Sequence, residues 1–426
     1  MPNTAETADT TAPDMTAADT TGATNVTGTA ESAALIEDLY PALAALREAG
    51  PVHRIAGTDG RPAWLVTCYD DVRQAFADPR LSLDRRHAAP GNYSGFSLPP
   101  ALDANLLNMD PPDHTRVRRL VVKAFTPGRV EKLREPVRRV AGELLDAIEA
   151  DGRADLLATY AGHLPIIVIC DLLGVPDEDR QDFRAWTDTL ITPDPARPRA
   201  AKEAVGAMLR FYTHLIARKR AEPGDDLLSD LIRVRDDEVE RTEGGDDRLS
   251  EDELTSLAFL ILFAGYENTV HLIANSVLSL LDHPELLKEL REDPTRVPAA
   301  FDELARFDGP APLAIRRFPR EDIEIGGVTI PAGETVLLSV ASAHRDPAHF
   351  EDPDALNPHI GRSGHLALGH GIHYCLGAPL ARLETDIALA TLLSRFPGLR
   401  LDVPRERLRW RPSMRARGLI SLPVAW

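Results

Sequence analysis

The sequence predicts a mainly α fold with a small β portion, built as one large domain. Three observations carry this. Long segments repeat apolar residues at i, i+3 and i+4, the stripe of a helix packed on a core. Alternating strand-like runs are confined to two short regions. After Ala33 no Pro/Gly/Ser-rich linker and no internal repeat divides the chain. At 426 residues it is long for one domain, so the count rests on this pattern rather than on length.

In chain order, residues 1–32 ("MPNTAETADTTAPDMTAADTTGATNVTGTAES") form a Thr/Ala/Asp tract with almost nothing to bury. They are expected to be a disordered tail, with the folded domain over 33–426. "AWLVTCY" reads as a strand. "RVEKLREPVRRVAGELLDAIEA" and "KEAVGAMLRFYTHLIARKRAE" read as helices. The polar run Arg235 to Glu253 is expected to be a surface loop, with Ser250 and Glu253 spaced as a capping box. "EDELTSLAFLILFAGYENTVHLIANSVLSLLDH" then begins, apolar on more than one side, as in a helix buried through a domain centre. "DIEIGGVTIPAGETVLLS" alternates about Gly-Gly and predicts a hairpin. "PLARLETDIALATLLSRF" is a last strong helix.

Hydrophobic residues at 43% and charged residues at 27% describe an ordinary soluble globular chain. A formal charge of −18 argues against general nucleic-acid binding. Cys68, Cys170 and Cys375 are odd in number and far apart, which fits a reducing cytoplasm rather than a disulfide framework. Residues 1–30 hold no Lys, no Arg and no apolar run, so no secretory signal is expected. No membrane span is expected either, the longest apolar candidate being Leu257 to Ala264.

"LALGHGIHYCLG", residues 366–377, sets one cysteine among glycines and histidines just before the last helix. Gly369, Gly371 and Gly377 supply backbone freedom and allow close approach of a flat ligand. A thiolate at Cys375 is favoured by the N–H groups and dipole of a helix N-terminus, as suits a metal ligand. His370, His373 and Cys375 also read as zinc ligands of a hydrolase or structural module.

The pattern G-x-x-x-C-x-G, filled by Gly371, Cys375 and Gly377, resembles the haem-ligand loop of the cytochrome P-450 family, with Leu368 where that family usually has phenylalanine. Ala264 to Thr269 ("AGYENT") resembles its oxygen-binding motif, and Glu303 to Arg306 ("ELAR") its E-x-x-R motif. "DPPDHTRVRR" supplies His114 and Arg118, and "HRDPAHFEDPD" resembles the meander. The resemblance runs from about Ala33 to Trp426 and implies a haem b (iron protoporphyrin IX) enzyme of the P-450 fold.

By that resemblance Cys375 is the axial ligand of the haem iron, and Leu368, Gly371 and Gly377 shape its loop. His114, Arg118, Arg317 and His373 neutralise the haem propionates. Ala264, Gly265, Glu267, Asn268 and Thr269 form the oxygen side. Gly265 fixes the register, so Asn268 takes the usual threonine position and Thr269 falls one residue late. An amide cannot relay a proton as a hydroxyl does, which shifts proton delivery toward Glu267, water or a substrate hydroxyl. Glu303 and Arg306 brace the proximal core. Ala355 stands where the meander arginine is usual, leaving Arg345 or Arg362 to compensate.

The implied reaction is insertion of one oxygen atom of O2 into a C–H or C=C bond of a small hydrophobic molecule. A polyketide, macrolide or other secondary metabolite is the expected class. Electrons are expected from NAD(P)H through a ferredoxin reductase and a ferredoxin, with the protein monomeric and cytoplasmic. Asn268 also admits peroxide-driven or C–C bond-forming haem chemistry. The pocket is expected from residues 89–108, Thr192 to Pro198, "PAPLAI" and "RARGLISL". A basic run of Arg116, Arg119, Lys123, Arg129, Lys132 and Arg134 is the expected ferredoxin-facing patch.

Overall fold

In the computed structural model the residues described are 24–25, 35, 38–57, 60–92, 98–191, 197, 199–236, 248–359 and 364–426. The helix Glu251–Asp282 starts on the expected capping box. Glu253 N–H donates to Ser250 Oγ at 3.0 Å, and Ser250 N–H donates to Glu253 Oε2 at 2.8 Å. Every residue from Thr269 to Leu280 is buried. By length and composition this helix would also cross a bilayer, which corrects the expectation that no stretch is long enough. Its apolar window, however, is 61% buried inside the fold, as a core helix must be.

Around it pack Leu164–Leu173, Ala200–Ala221, Val297–Asp308 and Ala378–Arg395, whose apolar faces join one large core. The stretch expected as one helix from Arg129 is two, Pro127–Lys132 and Arg134–Glu149, broken at Leu133. Pro136 explains the break. Its ring would meet the carbonyl of Lys132, so it is tolerated only in the first turn of a new helix.

The β portion is small. Val52–Ala56 and Pro62–Val66 pair antiparallel, and Pro62–Val66 pairs in parallel with Val336–Leu338. The hairpin Ile323–Ile325 with Val328–Ile330 turns at Gly326 (φ 55°) and Gly327 (φ 77°), where only glycine is unstrained. Within the expected disordered tail, Thr24 and Asn25 pair in parallel with His53 and Arg54, adding backbone bonds to an open sheet edge. The remaining tail, and 237–247 of the expected surface loop, lie outside the described residues.

Arg306 uses all five of its N–H donors. Nε and Nη2 bond the two Glu303 oxygens at 2.7 Å each. Nη1 donates to the carbonyls of His344 and Pro353 at 2.8 Å, and Nη2 also to that of Ala355 at 2.9 Å. Asn357 N–H closes the group on Glu303 at 2.9 Å. The missing meander arginine is therefore replaced by backbone. Arg345 does not take its place: it pairs with Asp354 at 2.8 Å and lies against the rings of Tyr40 and Phe307. Arg362 lies outside the described residues.

Arg306→Ala would strand a buried carboxylate and three carbonyls, an expected loss of about 3–5 kcal/mol. Arg306→Lys, with three donors and no planar fork, should recover less than half of it. Urea unfolding of the two variants checks both.

Candidate active site

The loop before Ala378–Arg395 is folded by its glycines and by one backbone bond. Gly369 (φ 78°) and Gly371 (φ 74°) occupy the left-handed region, and Cys375 N–H donates to Leu368 O at 2.8 Å. Leu368 packs with Leu272, Phe301 and Ala305, tying the loop to two core helices. Gly377 differs from the expectation. Its φ is −80°, and an added Cβ would sit 3.9 Å from the Cys375 sulfur, so neither its backbone nor its protein neighbours require glycine.

Cys375 keeps accessible surface although protein atoms crowd it. Burial pushes its thiol up. The N–H groups of Gly377 and Ala378 and the Arg118 charge act in the opposite direction, favouring thiolate.

Beside the loop four nitrogen-bearing side chains converge. The rings of His114 and His373 lie 4.1 Å apart. His114 is buried, and its Nε2 has no hydrogen-bond partner. Arg118 donates to Tyr374 O at 2.7 Å. Arg317 is 3% exposed, donates to Phe76 O at 3.3 Å and lies over the Phe76 ring. Among the described residues neither Arg118 nor Arg317 forms an ion pair with a carboxylate. Burial lowers Arg317 to about 10. Burial with the Arg118 charge lowers His114 to about 4, and burial with His114 and Arg317 lowers His373 to about 3. Buried cationic donors without acid partners call for an anionic ligand, and two carboxylates would satisfy them.

On the central helix, Ala264 and Asn268 are the exposed residues between Glu253 and Leu281. One turn apart, they open a notch in an otherwise covered helix. Asn268 Nδ2 donates to Ala264 O at 3.3 Å, which orients the amide. Thr269 does not join them: it is buried, with its hydroxyl bonded to Gly265 O at 3.0 Å. Gly265 is a packing position, since a Cβ there would fall 2.8 Å from Ile169 Cδ1. Glu267 pairs with Arg411 at 3.1 Å. Burial raises its carboxyl, and Arg411 and Arg415 partly offset this.

The expected pocket segments are only partly described: 93–97, 192–196 and 198 lie outside. Pro312 and Leu313 of "PAPLAI" border a different apolar cavity, about 420 Å³ with its mouth, against Leu39, Leu43, Trp410 and Met414. Neither Cys375, Ala264 nor Asn268 lines it. Ile420 is 59% exposed on the C-terminal turn. Nor do His370, His373 and Cys375 make a zinc site. Among the described residues no three His, Cys, Asp or Glu side chains gather as for a bare ion.

The family model "Cytochrome P450", written here P-450, matches residues 43–410. The chain belongs to the cytochrome P-450 family. The P-450 monooxygenase PikC of Streptomyces venezuelae is 46% identical over 391 residues, 91% of each chain. The mycinamicin IV hydroxylase/epoxidase of Micromonospora griseorubida is 43% identical, over 89% of this chain and 94% of that one. Among solved structures, the bacillaene polyketide synthase P-450 PksS of Bacillus subtilis superposes with a TM-score of 0.84 at 36% identity. That match covers 92% of this chain and 97% of the other.

The chain is thus a P-450 monooxygenase, and the family's cofactor is haem b held through a cysteine thiolate. The arrangement fits that group: a thiol at a helix N-terminus beside two arginines without acid partners, one of them buried, and the unpartnered His114 Nε2. Sequence reasoning missed Arg411, which pairs with Glu267 from the C-terminal turn, and the His271 ring of the central helix with the Gly418 that packs on it. The only signal was "WRPSMRARG", whose arginines gave no indication of their partner.

His114 is held below its ordinary value, so the unfolded chain binds its proton first as pH falls. Its contribution to stability is therefore full above pH 6.5 and lost as pH drops toward about 4. Urea midpoints of the haem-free chain should fall over that window, and less steeply in His114→Gln.

Proposed function

We propose that Cys375 ligates the haem iron, and that the enzyme hydroxylates or epoxidises a hydrophobic secondary metabolite of polyketide or macrolide type. The observation that carries the site is the convergence of Cys375 with the buried His114, whose Nε2 has no hydrogen-bond partner, and the buried Arg317, which has no acid partner. Relatives named for a mycinamicin and a bacillaene synthase support the substrate class.

When bound, the thiolate-ligated haem supplies oxygen activation and transfer of one oxygen atom. The chain does the rest. Gly377 and Ala378 N–H groups and Arg118 hold negative charge on Cys375 Sγ. His114, Arg118, Arg317 and His373 take the two carboxylates by charge-assisted hydrogen bonds, the histidines as neutral donors or on protonation. Ala264 leaves room beside the helix, and Asn268, oriented by its bond to Ala264 O, offers an amide hydrogen and a carbonyl. Glu267 is the nearest acid in sequence to that amide and is the candidate reservoir for protons.

Electrons come from a ferredoxin, and the protein is a cytoplasmic monomer. Part of the expected basic patch is internal. Arg116 pairs with Glu253 and the Arg248 carbonyl; Arg129 pairs with Asp230 and Asp225, and Lys132 with Asp225. Arg134 pairs with Glu131. The docking surface centres on Lys123 and the exposed Val122 of the helix Asp113–Ala124, whose Arg118 touches the cysteine loop.

Cys375→Ser should abolish the red-shifted Soret band of the reduced carbon-monoxide complex while leaving far-UV helix content in place. Persistence of that band would overturn the ligand assignment. Lys123→Glu should slow ferredoxin-supported turnover roughly threefold at low salt and far less at high salt, because exposed charge mainly sets encounter rate. Stopped-flow reduction at two ionic strengths checks it.

A further inference from the structure

The acid of the oxygen-side motif does not stand alone. Arg411 Nη1 lies 3.1 Å from Glu267 Oε1 and donates to His271 Nε2 at 3.0 Å. Arginine can only donate, so Nε2 of His271 is the acceptor and the ring proton sits on Nδ1. That Nδ1 is buried and has no partner. Burial and Arg411 lower His271 to about 4, so the ring is neutral at neutral pH.

Arg411 also belongs to the turn that reaches Ile420. Its own N–H donates to Gly418 O at 2.9 Å, Trp410 bridges Leu419, and Ile420 N–H donates to Arg409 O at 2.9 Å. Gly418 lies flat on the imidazole: an added Cβ would fall 2.1 Å from Nδ1 and 2.3 Å from Cε1 of His271. Asn275, one turn further along the central helix, donates to Arg417 O at 3.0 Å and fixes the other strand of the turn. The turn can therefore shift only if these contacts with the central helix break.

We propose that Arg411 is a positioning residue that locks the Glu267 carboxylate, through the neutral His271 ring and Gly418, to the C-terminal turn carrying Ile420. A substrate resting on Ile420 then acts on the same unit that holds the acid. Proton supply and substrate occupancy become one coupled event. This rests on the monooxygenase reading and on Glu267 as its proton reservoir. Among the described residues the titratable groups facing Glu267 are Arg411 and Arg415 from the turn, both cationic, and the neutral His271 from its own helix. The adjacent Tyr266 is held separately, by Asp188 at 3.2 Å.

The test uses the holoenzyme. Infrared difference spectra between wild type and Glu267→Gln isolate the Glu267 carboxyl band, followed against pH. Arg411→Met should move its titration to higher pH by about one unit or more, because a cation in contact is lost. Arg411→Lys should restore most of that shift. The alkaline limb of product formed per NADPH should move the same way, and in a Glu267→Gln background Arg411→Met should move nothing. Gly418→Ala, which overlaps the ring, should shift the carboxyl in the same direction; it also serves if Arg411→Met does not fold. An unmoved Glu267 band in Arg411→Met and Gly418→Ala overturns the proposal, as does a coupling shift that survives in Glu267→Gln. The carbon-monoxide signature of the wild type, read separately, would fail if the monooxygenase reading itself were wrong.

Discussion

A helix that is apolar on all sides must be covered on all sides, and Glu251–Asp282 imposes that demand on the whole fold. Its neighbours are placed to meet it. Leu164–Leu173 comes close enough that a Cβ at position 265 would press on the Ile169 side chain, and Ala378–Arg395 and Val297–Asp308 close other faces. Polar residues on such a helix must find partners inside the fold. Thr269 bonds its own turn, Asn275 reaches two carbonyls of other segments, and His271 accepts from Arg411. Against that background Ala264 and Asn268 stand out. They are where the covering is withheld.

A second constraint is electrostatic. Two buried guanidinium groups in this protein are treated in opposite ways. Arg306 is saturated by five acceptor atoms, two of them the carboxylate oxygens of Glu303, and functions as a rivet between helix and meander. Arg317 has one carbonyl and an aromatic face, and its pKa is lowered accordingly. Leaving a buried cation in that condition costs stability. The same residue type is thus saturated in one place and left short of a counter-charge in the other.

Acidity at the oxygen side follows the same logic of shared partners. Glu267 is raised by burial and drawn back by Arg411 and Arg415, both from a segment more than a hundred residues away in sequence. Charge, tautomer and backbone fit meet at His271, where Gly418 leaves no room for any side chain.

Residue pattern by itself determined the helical class, the capping box at Ser250, the Gly-Gly hairpin and the loop that presents Cys375. These are local: turn chemistry, periodicity and caps act over a few residues and leave their mark on the sequence. The single helix expected from Arg129 failed because Pro136 was outweighed by the apolar period around it. What only the tertiary structure decided is partnership. That Arg116, Arg129 and Lys132 are tied to acids of other segments, that carbonyls of Pro353 and Ala355 replace a side chain on Arg306, and that Arg411 reaches Glu267 depend on which surfaces the packed core brings together. A charge is visible in the sequence, but the distance to its counter-charge is not, because Coulomb energy and hydrogen-bond geometry are set by separation in space.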